Sequence, residues 1–347
     1  MTNQPNDLKC KNNDSPIKLS RAQRRISGDK TPCQLMEVGR DDERVVMRKD
    51  KIDGILLVDK TQGPSSNGVL QRVKHLLGAK KAGHTGSLDP MATGMLPICF
   101  GEATKISQYL LDADKSYTAT GLLGIKTNTA DAMGEVISCV EQVDISEVQL
   151  RDVLAQFTGK IKQIPSMFSA LKHQGTPLYQ YARKGIEIER TARDIVIYAL
   201  ELNHFDGQQF QLTVRCSKGS YIRNLVEDIG DRLGCGAHVT QLRRSYTAGF
   251  DPALMVTVDE LSQLTIDERR ALLLPMDSAI AYLPRVALTT EQSKLLRQGQ
   301  IVTTNMSHTM QGVVRLYEND QQFIGLGEWH ALGELKAKRL LSTVSQF

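Results

Sequence analysis

Two successive patterns of apolar positions near the start of the folded chain predict a strand followed by a helix. The stretch IDGILLVDK, residues 52–60, is a short apolar run that ends in charged residues, as is typical of a buried strand. In the next stretch apolar residues recur with helical spacing, at Val69, Leu70, Val73, Leu76 and Leu77. Ser65 or Ser66 is placed to cap this helix, and Gly78 is placed to end it.

Later segments show strand and helix patterns in turn. SYTATGLLG (116–124) predicts a strand, and SEVQLRDVLAQFTG (146–159) predicts a helix with a capping box. Residues 209–234 predict a strand, a tight turn and a helix that ends at Gly234 and faces inward through Leu225, Val226, Ile229 and Leu233. HVTQLRRSYTAGF (238–250) predicts another strand. Because no strict βαβ rhythm is present, we expect an α+β fold with a mixed, largely antiparallel sheet.

Composition divides the chain into three parts. Residues 1–50 are polar with little periodicity and are predicted to be a disordered extension. Translation starting later, at Met36 or Met47, is an alternative explanation of this segment. Residues 51–282 are expected to form the main domain. Residues 284–347 contain short alternating strands with a hairpin turn at 318–320, which predicts a small β-barrel.

Charge and cysteine content exclude some classes of protein. The net charge is +4, and residues 1–50 carry 11 Lys and Arg against 8 Asp and Glu, so a nucleic-acid surface requires local clustering of cations. The apolar runs are too short to span a membrane, and the polar start lacks the apolar region of a secretory signal. Six scattered cysteines without a CxxC pair fit reduced thiols in the cytoplasm. Cys235 with His238 is at most half a zinc site, so we expect no metal.

The segment GHTGSLDPMATGMLP (83–97) presents one carboxylate, Asp89, on a glycine-rich loop. Pro90 disfavours the α region for Asp89, and the glycines allow sharp turns and close approach to a ligand. An Asp-Pro pair is more often only a turn, but a carboxylate in this setting can also be a nucleophile, a general base or a metal ligand. A glycoside hydrolase needs a second carboxylate, and a metal needs more ligands than His84 and Asp89. The loop therefore favours a reaction for which one carboxylate suffices.

Segments along nearly all of residues 51–347 resemble, in order, the motifs of the TruB family of pseudouridine synthases. GILLVDKTQGPSSN resembles the first motif, GHTGSLDPMATGMLPICFGEATK the catalytic motif, and DKSYTATGLLGIKTNTADAMGE the tyrosine motif with the region after it. QIPSMFSALKHQGTPLYQYARKG resembles the RNA-facing segment, CSKGSYIRNLVEDIGDRLGCGAHVTQLRR the arginine motif, and residues 284–347 the RNA-binding PUA domain. The chain departs from the family at Thr61, where proline is usual, at Ser87, where alanine is usual, and in its polar extension.

The resemblance implies isomerisation of the T-loop uridine of tRNA (position 55) to pseudouridine after base flipping. The C1′–N1 bond breaks and the base rejoins the ribose through C5, so no second carboxylate is needed to activate water. Asp89 would be the catalytic residue, through attack on C1′, addition to C6 or removal of the 2′ proton. Arg223 would pair with Asp89 and keep it charged, and Tyr117 would stack on the flipped base and assist proton transfer from C5.

The resemblance also implies residues that bind substrate. His84 would fill the place of the flipped nucleotide, and Leu242 and Tyr221 would form pocket walls, Tyr221 sharing a face with Arg223 by strand alternation. Candidate phosphate contacts are Lys105, Lys172, Arg183, Lys184, Arg243 and Arg244. We expect a cytoplasmic monomer that binds the T stem-loop of tRNA and needs no cofactor or obligate protein partner. A tRNA-folding chaperone with little catalysis and a guide-RNA-dependent synthase remain the alternatives.

Overall fold

The computed structural model of the protein describes residues 50–304, 311–331 and 333–342. The expected disorder of the N-terminal extension and the alternative starts at Met36 and Met47 lie outside the described residues. No helix in these described ranges is long and apolar enough to cross a membrane.

The described residues form eighteen strands and eight α-helices, joined by short turns and three 3₁₀ segments. The strands are β1 (Gly54–Lys60), β2 (Ala82–His84), β3 (Thr93–Phe100), β4 (Lys115–Leu123), β5 (Ile125–Thr127), β6 (Val136–Cys139), β7 (Gly159–Gln163), β8 (Lys172–His173), β9 (Thr176–Pro177), β10 (Arg193–Phe205), β11 (Gln209–Cys216), β12 (Ala237–Thr247), β13 (Val256–Thr257), β14 (Arg285–Leu288), β15 (Val302–Thr303), β16 (Val313–Glu318), β17 (Gln322–Ala331) and β18 (Glu334–Leu340). The helices are α1 (Ser66–Leu76), α2 (Ser107–Asp112), α3 (Glu147–Gln156), α4 (Leu178–Ala182), α5 (Ile222–Arg232), α6 (Val258–Gln263), α7 (Ile266–Ala271) and α8 (Thr290–Arg297).

A nine-stranded sheet forms the larger part of the fold. Its strand order is β13-β1-β3-β12-β4-β11-β10-β7. The ninth strand, β2, lies outside this order and pairs with the C-terminal part of β3. Only the β1–β13 and β3–β12 pairs are parallel, and the remaining pairs are antiparallel. The mixed, largely antiparallel α+β fold predicted from the sequence is therefore confirmed.

Helix ends follow the local signals in the sequence. Ser65 caps α1 by accepting a hydrogen bond from the amide of Gly68, and Ser146 forms a complete capping box at the start of α3. Helices α1 and α5 end just before Gly78 and Gly234, whose φ values of 64° and 83° suit glycine. The predicted capping, ends and inward faces of these helices are confirmed.

Adjacent residues of β1 contribute to two different cores, because successive side chains of a strand point to opposite faces. Leu56 and Val58 belong to a cluster that includes the apolar faces of α1, α3 and α5. Ile55 and Leu57 belong to a second cluster, which also contains residues of the C-terminal region. The sheet is thus covered by helices on one face and, over β1 and β3, by a separate apolar layer on the other.

The C-terminal region contains a five-stranded sheet with the order β14-β16-β17-β18-β15. The predicted hairpin turn is present between β16 and β17, where Asn319 and Asp320 both have positive φ. This sheet has a small apolar core of its own, to which α8 contributes Leu296. The boundary expected between residues 282 and 284 stays a prediction.

Candidate active site

The loop that carries Asp89 joins β2 to β3 and is anchored by the last residue of β1 and the first residue of α1. The buried hydroxyl of Ser66 donates to the carbonyl of Leu88 (2.8 Å) and accepts from its amide (2.7 Å). The ammonium of Lys60 donates to the carbonyls of Pro90 (3.3 Å) and Ala92 (2.6 Å). Asp89 is therefore held on both sides by groups that are distant in sequence.

Gly94, just after this loop, explains how β3 approaches β12. Its φ is 98°, and a Cβ built on it would lie 2.3 Å from the carbonyl oxygen of Arg244. Any side chain would therefore push the two strands apart at the point where they pair. The glycine lets the strand that follows the Asp89 loop pack directly on the strand that carries Arg244.

Asp89 and Arg223 form an ion pair. Nε of Arg223 lies 2.9 Å from Oδ2 of Asp89, and the side chains are 4% and 38% exposed respectively. Arg223 lies in the first turn of α5, so the end of β11 and the helix start deliver it to the loop. The predicted pairing of these residues is present in the structure.

Arg223 is fixed by further acceptors. Its Nη1 donates to the carbonyl of Thr129 (2.8 Å) and lies 3.3 Å from Oδ2 of Asp131, and its Nη2 donates to the carbonyl of Phe168 (3.0 Å). The hydroxyl of Thr129 donates to the other carboxylate oxygen of Asp131 (2.7 Å). Because the guanidinium is held on several sides, its orientation toward Asp89 is set before substrate binds.

Asp131 corrects the expectation that Asp89 has no carboxylate neighbour. The two are 42 positions apart in the sequence, yet they share one guanidinium. The Asp131 side chain is only 6% exposed and also accepts from the amide of Met133 (3.0 Å). Since its oxygens are occupied by protein donors, Asp131 is not placed to activate water.

The environment of Asp89 makes its carboxylate a stronger base than an ordinary aspartate. Burial raises the pKa of Asp89 above its usual 3.8, and the charge of Asp131 raises it further. Arg223 and Lys60 pull this pKa down, as expected for cations, but they do not cancel the rise. A carboxylate with a raised pKa accepts a proton or attacks carbon more readily once it is ionised.

A cavity of about 300 Å³ opens beside Asp89. Tyr117, Tyr221 and Leu242 line it together with Asp89 and Arg223, so five of the residues expected at the site surround one cavity. The volume is at the lower end of ligand pockets, which span about 300–1,000 Å³. One flipped nucleotide base matches this size better than a large ligand.

Tyr221 and Arg223 do not share one face of a strand, so that prediction is wrong. Tyr221 is the residue that precedes α5, and Arg223 is the second residue of that helix. Both side chains nevertheless reach the cavity. Gln163 fixes this turn, since its amide group donates to the Tyr221 carbonyl (3.0 Å) and accepts from the Tyr221 amide (2.8 Å).

Tyr117 and His84 lie in apolar surroundings next to the same cation. Burial raises the pKa of Tyr117, while Arg244 acts in the opposite direction. Burial, followed by the charge of Arg244, lowers the pKa of His84, which favours the neutral imidazole. Nδ1 of His84 is buried without a hydrogen-bond partner. His84 itself is the last residue of β2 and does not line the cavity.

Apart from Arg244, the expected phosphate contacts do not line the cavity. Lys172, Arg183 and Lys184 are near β8 and α4, toward the protein surface. Lys105 bonds Glu102 (2.6 Å) and the carbonyl of Leu340 (3.3 Å), at the junction with the C-terminal sheet. Arg243 forms two hydrogen bonds with Asp59, of 2.9 and 2.7 Å. Contact of these five cations with RNA stays a prediction.

Three polar residues at the site are buried: Lys60, Asp131 and Arg244. The sequence did not identify the first two, and it indicated Arg244 only as a candidate phosphate contact. Asp131 lies within a segment that resembles a family motif, but the resemblance assigns no role to it. Arg244 follows Leu242 by two positions in a predicted strand, so alternation alone would have placed both on one face. Lys60 gave no local signal, because its burial depends on carbonyls some thirty positions away.

The site chemistry rests on one reactive carboxylate with a fixed guanidinium. Within the described residues, no group of three or more His, Cys, Asp or Glu side chains could hold a metal ion. The arrangement can supply a base or nucleophile of raised pKa, a positive charge beside it and an aromatic wall.

Comparison with known proteins identifies the family. Residues 74–222 match the TruB family pseudouridylate synthase N-terminal domain, residues 223–281 the tRNA pseudouridylate synthase B C-terminal domain, and residues 284–341 the pseudouridine synthase II TruB C-terminal domain. The chain is 59% identical over 291 residues to tRNA pseudouridine synthase B of Legionella pneumophila strain Philadelphia 1, covering 84% of this chain and 96% of the relative. It is 51% identical over 302 residues to the Tolumonas auensis protein of the same name, covering 84% and 92%.

A solved structure supports the same assignment. The fold superposes on a chain in the crystal structure of a Cbf5–Nop10–Gar1 complex with a TM-score of 0.60, at 25% identity and with 86% and 85% of the two chains covered. The sequence resemblance, the motif order and the domain matches therefore agree, and this chain belongs to the TruB family of pseudouridine synthases.

Proposed function

We propose that this enzyme isomerises the T-loop uridine of tRNA to pseudouridine and that Asp89 is its catalytic residue. The observation that carries the proposal is the 2.9 Å ion pair between Asp89 and Arg223 at the wall of a cavity lined by Tyr117. The name of the Legionella pneumophila relative, tRNA pseudouridine synthase B, supports tRNA as the substrate.

In the proposed reaction the target uridine leaves the base stack and enters the cavity, where the ring of Tyr117 stacks on it. Asp89 acts in its ionised form, through attack on C1′, addition to C6 or removal of the 2′ proton. Arg223 orients Asp89 and stabilises its charge, because the guanidinium is itself fixed by main-chain carbonyls. His84 occupies the space that the flipped nucleotide leaves.

The remaining surface binds the RNA backbone. Lys172, Arg183 and Lys184 are exposed cations that can approach phosphates. Residues 284–347 act as a PUA-like RNA-binding domain beside a catalytic domain of residues 51–282. The rearrangement adds no atoms and transfers no electrons to another molecule, so it requires no cofactor. We infer that the enzyme works in the cytoplasm as a monomer, without a guide RNA or a protein partner.

A single-turnover assay with unmodified tRNA that carries 5-tritiated uridine tests the proposal. The purified wild-type protein is compared with Asp89→Asn, with no other macromolecule added. A transcript with cytidine in place of the T-loop uridine is the matched substrate control. We expect tritium release by the wild type only, loss of that release with the control transcript, and tRNA binding by both proteins.

Two outcomes contradict the proposal. Release that persists with the cytidine transcript would place the target uridine outside the T-loop. Tight tRNA binding without release by the wild type would make the protein an RNA-folding factor, or an enzyme that needs a guide RNA, which adding candidate guide RNAs would distinguish.

A further inference from the structure

Arg244 is a buried cation whose charge the fold does not neutralise. Its residue is 1% exposed, and it lies on β12 directly opposite Tyr117 on β4. The side chain lines the cavity beside Asp89. It is therefore withdrawn from bulk water and forms part of the cavity wall.

The contacts of Arg244 position it without supplying a negative charge. Nε donates to the carbonyl of Met95 (2.7 Å), and Nη2 donates to the carbonyl of Gly86 in the loop that carries Asp89 (3.1 Å). The guanidinium also forms a hydrogen bond with the side chain of Tyr117. Among the described residues no ion pair involves Arg244, whereas Arg223 has two carboxylates. A buried charge without a carboxylate partner is costly to a fold, and an anionic group of a bound substrate would supply that missing partner.

The charge of Arg244 acts on the groups that surround the expected position of the base. Burial is the largest influence on the pKa of Tyr117, His84 and Lys115, and Arg244 is the next for each. It lowers all three pKa values, as a nearby positive charge must. Arg244 is thus a positive charge felt by Tyr117, in the same cavity as the Asp89–Arg223 pair.

The reaction generates negative charge in the uracil ring. When the C1′–N1 bond breaks, its electron pair stays with uracil and is shared by N1, O2 and O4. The ring then forms a C5–C1′ bond, C5 loses its proton and N1 gains one, so atoms and charge balance without a further reactant. If Asp89 instead adds to C6 first, the electrons of the C5–C6 bond place the negative charge on O4. Each route therefore passes through an anionic base.

We propose that Arg244 is a catalytic residue that hydrogen-bonds a carbonyl oxygen of the flipped uracil and stabilises the negative charge on that ring. The inference rests on the proposed function and adds to it a second cation with a separate role. Arg223 stabilises the charge of the Asp89 carboxylate, whereas Arg244 stabilises the charge of the uracil ring. A preorganised donor in a site shielded from water is an effective way to stabilise such charge.

A phosphate of the substrate is another anion that Arg244 could bind. The position opposite Tyr117 favours the base, because Tyr117 is the expected stacking partner. A phosphate contact and a contact to the uracil anion should have different effects on tRNA binding and on the reaction rate. A phosphate contact strengthens binding of tRNA and makes it depend more on salt, whereas a contact to the uracil anion changes the rate after binding.

The experiment uses full-length wild-type protein, Arg244→Gln and Arg244→Lys, with Arg232→Gln as a control. Arg232 is an arginine at the far end of α5 that bonds Gln156. Each protein is tested in single turnover on tRNA with uridine or with 5-fluorouridine at the target. Disappearance of the target nucleoside is measured by chromatography after digestion. Fluorine withdraws electrons and stabilises the uracil anion, so the fluorinated substrate depends less on an external positive charge. Its C5 has fluorine in place of the proton, so the reaction proceeds to the C5–C1′ bond without the final loss of a C5 proton, and only disappearance of the starting nucleoside is compared.

We expect Arg244→Gln to lose about 100- to 1,000-fold in rate on uridine, the loss typical of removing one preorganised donor. Its loss on 5-fluorouridine should be at least several-fold smaller, Arg244→Lys should retain an intermediate rate, and Arg232→Gln should match the wild type. The affinity for tRNA should be unchanged. Arg244→Lys keeps the charge, so it provides the test if the glutamine variant does not fold.

Equal losses on the two substrates would overturn the proposal and leave Arg244 as a structural support for the loop. A loss confined to tRNA affinity and its salt dependence would assign it to a phosphate. If the wild type converts neither substrate, the proposed function itself has failed, which is a different result from equal losses in an active enzyme.

Discussion

Ser66 and Leu88 exchange two hydrogen bonds through one hydroxyl, which donates to the Leu88 carbonyl at 2.8 Å and accepts from the Leu88 amide at 2.7 Å. Leu88 immediately precedes Asp89, so the first residue of α1 sets the position of the carboxylate proposed to be catalytic. Ser65, its neighbour, faces solvent and caps the same helix. Two adjacent serines thus serve the loop and the helix separately.

Replacing these serines one at a time should separate their roles. Ser66→Ala leaves the buried amide and carbonyl of Leu88 without a partner, which should lower the free energy of unfolding by about 1–3 kcal/mol and release the loop. Ser65→Ala removes a cap, at a cost of about 1 kcal/mol. We expect only Ser66→Ala to slow single-turnover pseudouridine formation, by about tenfold or more. Urea unfolding and tritium release measure the two effects, and similar rates in both variants would contradict this role of Ser66.

The acid limb of the pH–rate profile should report the ionisation of Asp89. Its pKa is raised above 3.8 by burial, so the rate should fall with decreasing pH at a higher pH than for an exposed aspartate. Asp131 raises this pKa and Lys60 lowers it. Asp131→Asn should therefore move the limb to lower pH, and Lys60→Met should move it to higher pH.

Single-turnover rates between about pH 4 and pH 8 measure these shifts. Asp194→Asn is the control, because Asp194 is an exposed carboxylate that pairs with Lys160 and should leave the limb in place. Shifts of both variants in the same direction would mean that the limb belongs to another group.

Lys60 should also affect stability at alkaline pH. Burial, opposed by the charge of Asp89, lowers the pKa of Lys60 from 10.5 to about 8. Between these values the unfolded chain binds more protons at this residue than the folded chain, so the free energy of unfolding gains a term that rises with pH. Wild-type stability should therefore increase relative to Lys60→Met from about pH 8 to pH 10.5, as measured by urea unfolding. Lys51→Met replaces an exposed lysine and controls for the general effect of charge; an equal slope in both variants would contradict the argument.

The cations near β8 and α4 should govern the salt dependence of tRNA binding. If Lys172 and Arg183 each contact one phosphate, Lys172→Ala and Arg183→Ala should each reduce the slope of log affinity against log salt by about 1. Lys160→Ala is a matched control, because Lys160 is exposed and already paired with Asp194 at 3.1 Å. Titrations of labelled tRNA at several salt concentrations measure the slopes. Unchanged slopes in both variants would remove this surface from the RNA interface.

Local signals in the sequence were sufficient to predict several elements. The apolar spacing of α1 and α5, the capping box of α3 and the turn at Asn319–Asp320 all depend on residues within a few positions of one another. Asp89 and Arg223 were placed in the site by motif resemblance, and the structure brings them together. Without the motif resemblance, the sequence favoured a simple turn at Asp89 and a surface position for Arg223.

Lys60 and Arg244 show why other parts of the site were not predicted. A lysine after a strand or an arginine in a strand is usually solvated, and nothing adjacent in the sequence indicates otherwise. Their burial depends on carbonyls brought close by the pairing of β1, β3 and β12 and by the loop between β2 and β3. The positions of those carbonyls depend on the strand register of the sheet, and the sequence pattern does not predict that register.

The apolar cluster that contains Leu57 and Met95 of the large sheet also contains Leu326 and Leu341 from the C-terminal region. A core built from both regions cannot be divided without exposing each half to water. The C-terminal sheet is therefore more than an RNA-binding attachment, because the hydrophobic layer behind β1 and β3 depends on it. The two sheets should consequently behave as one cooperative unit, in which loss of the C-terminal region by truncation also weakens the strands that lead into and out of the catalytic loop.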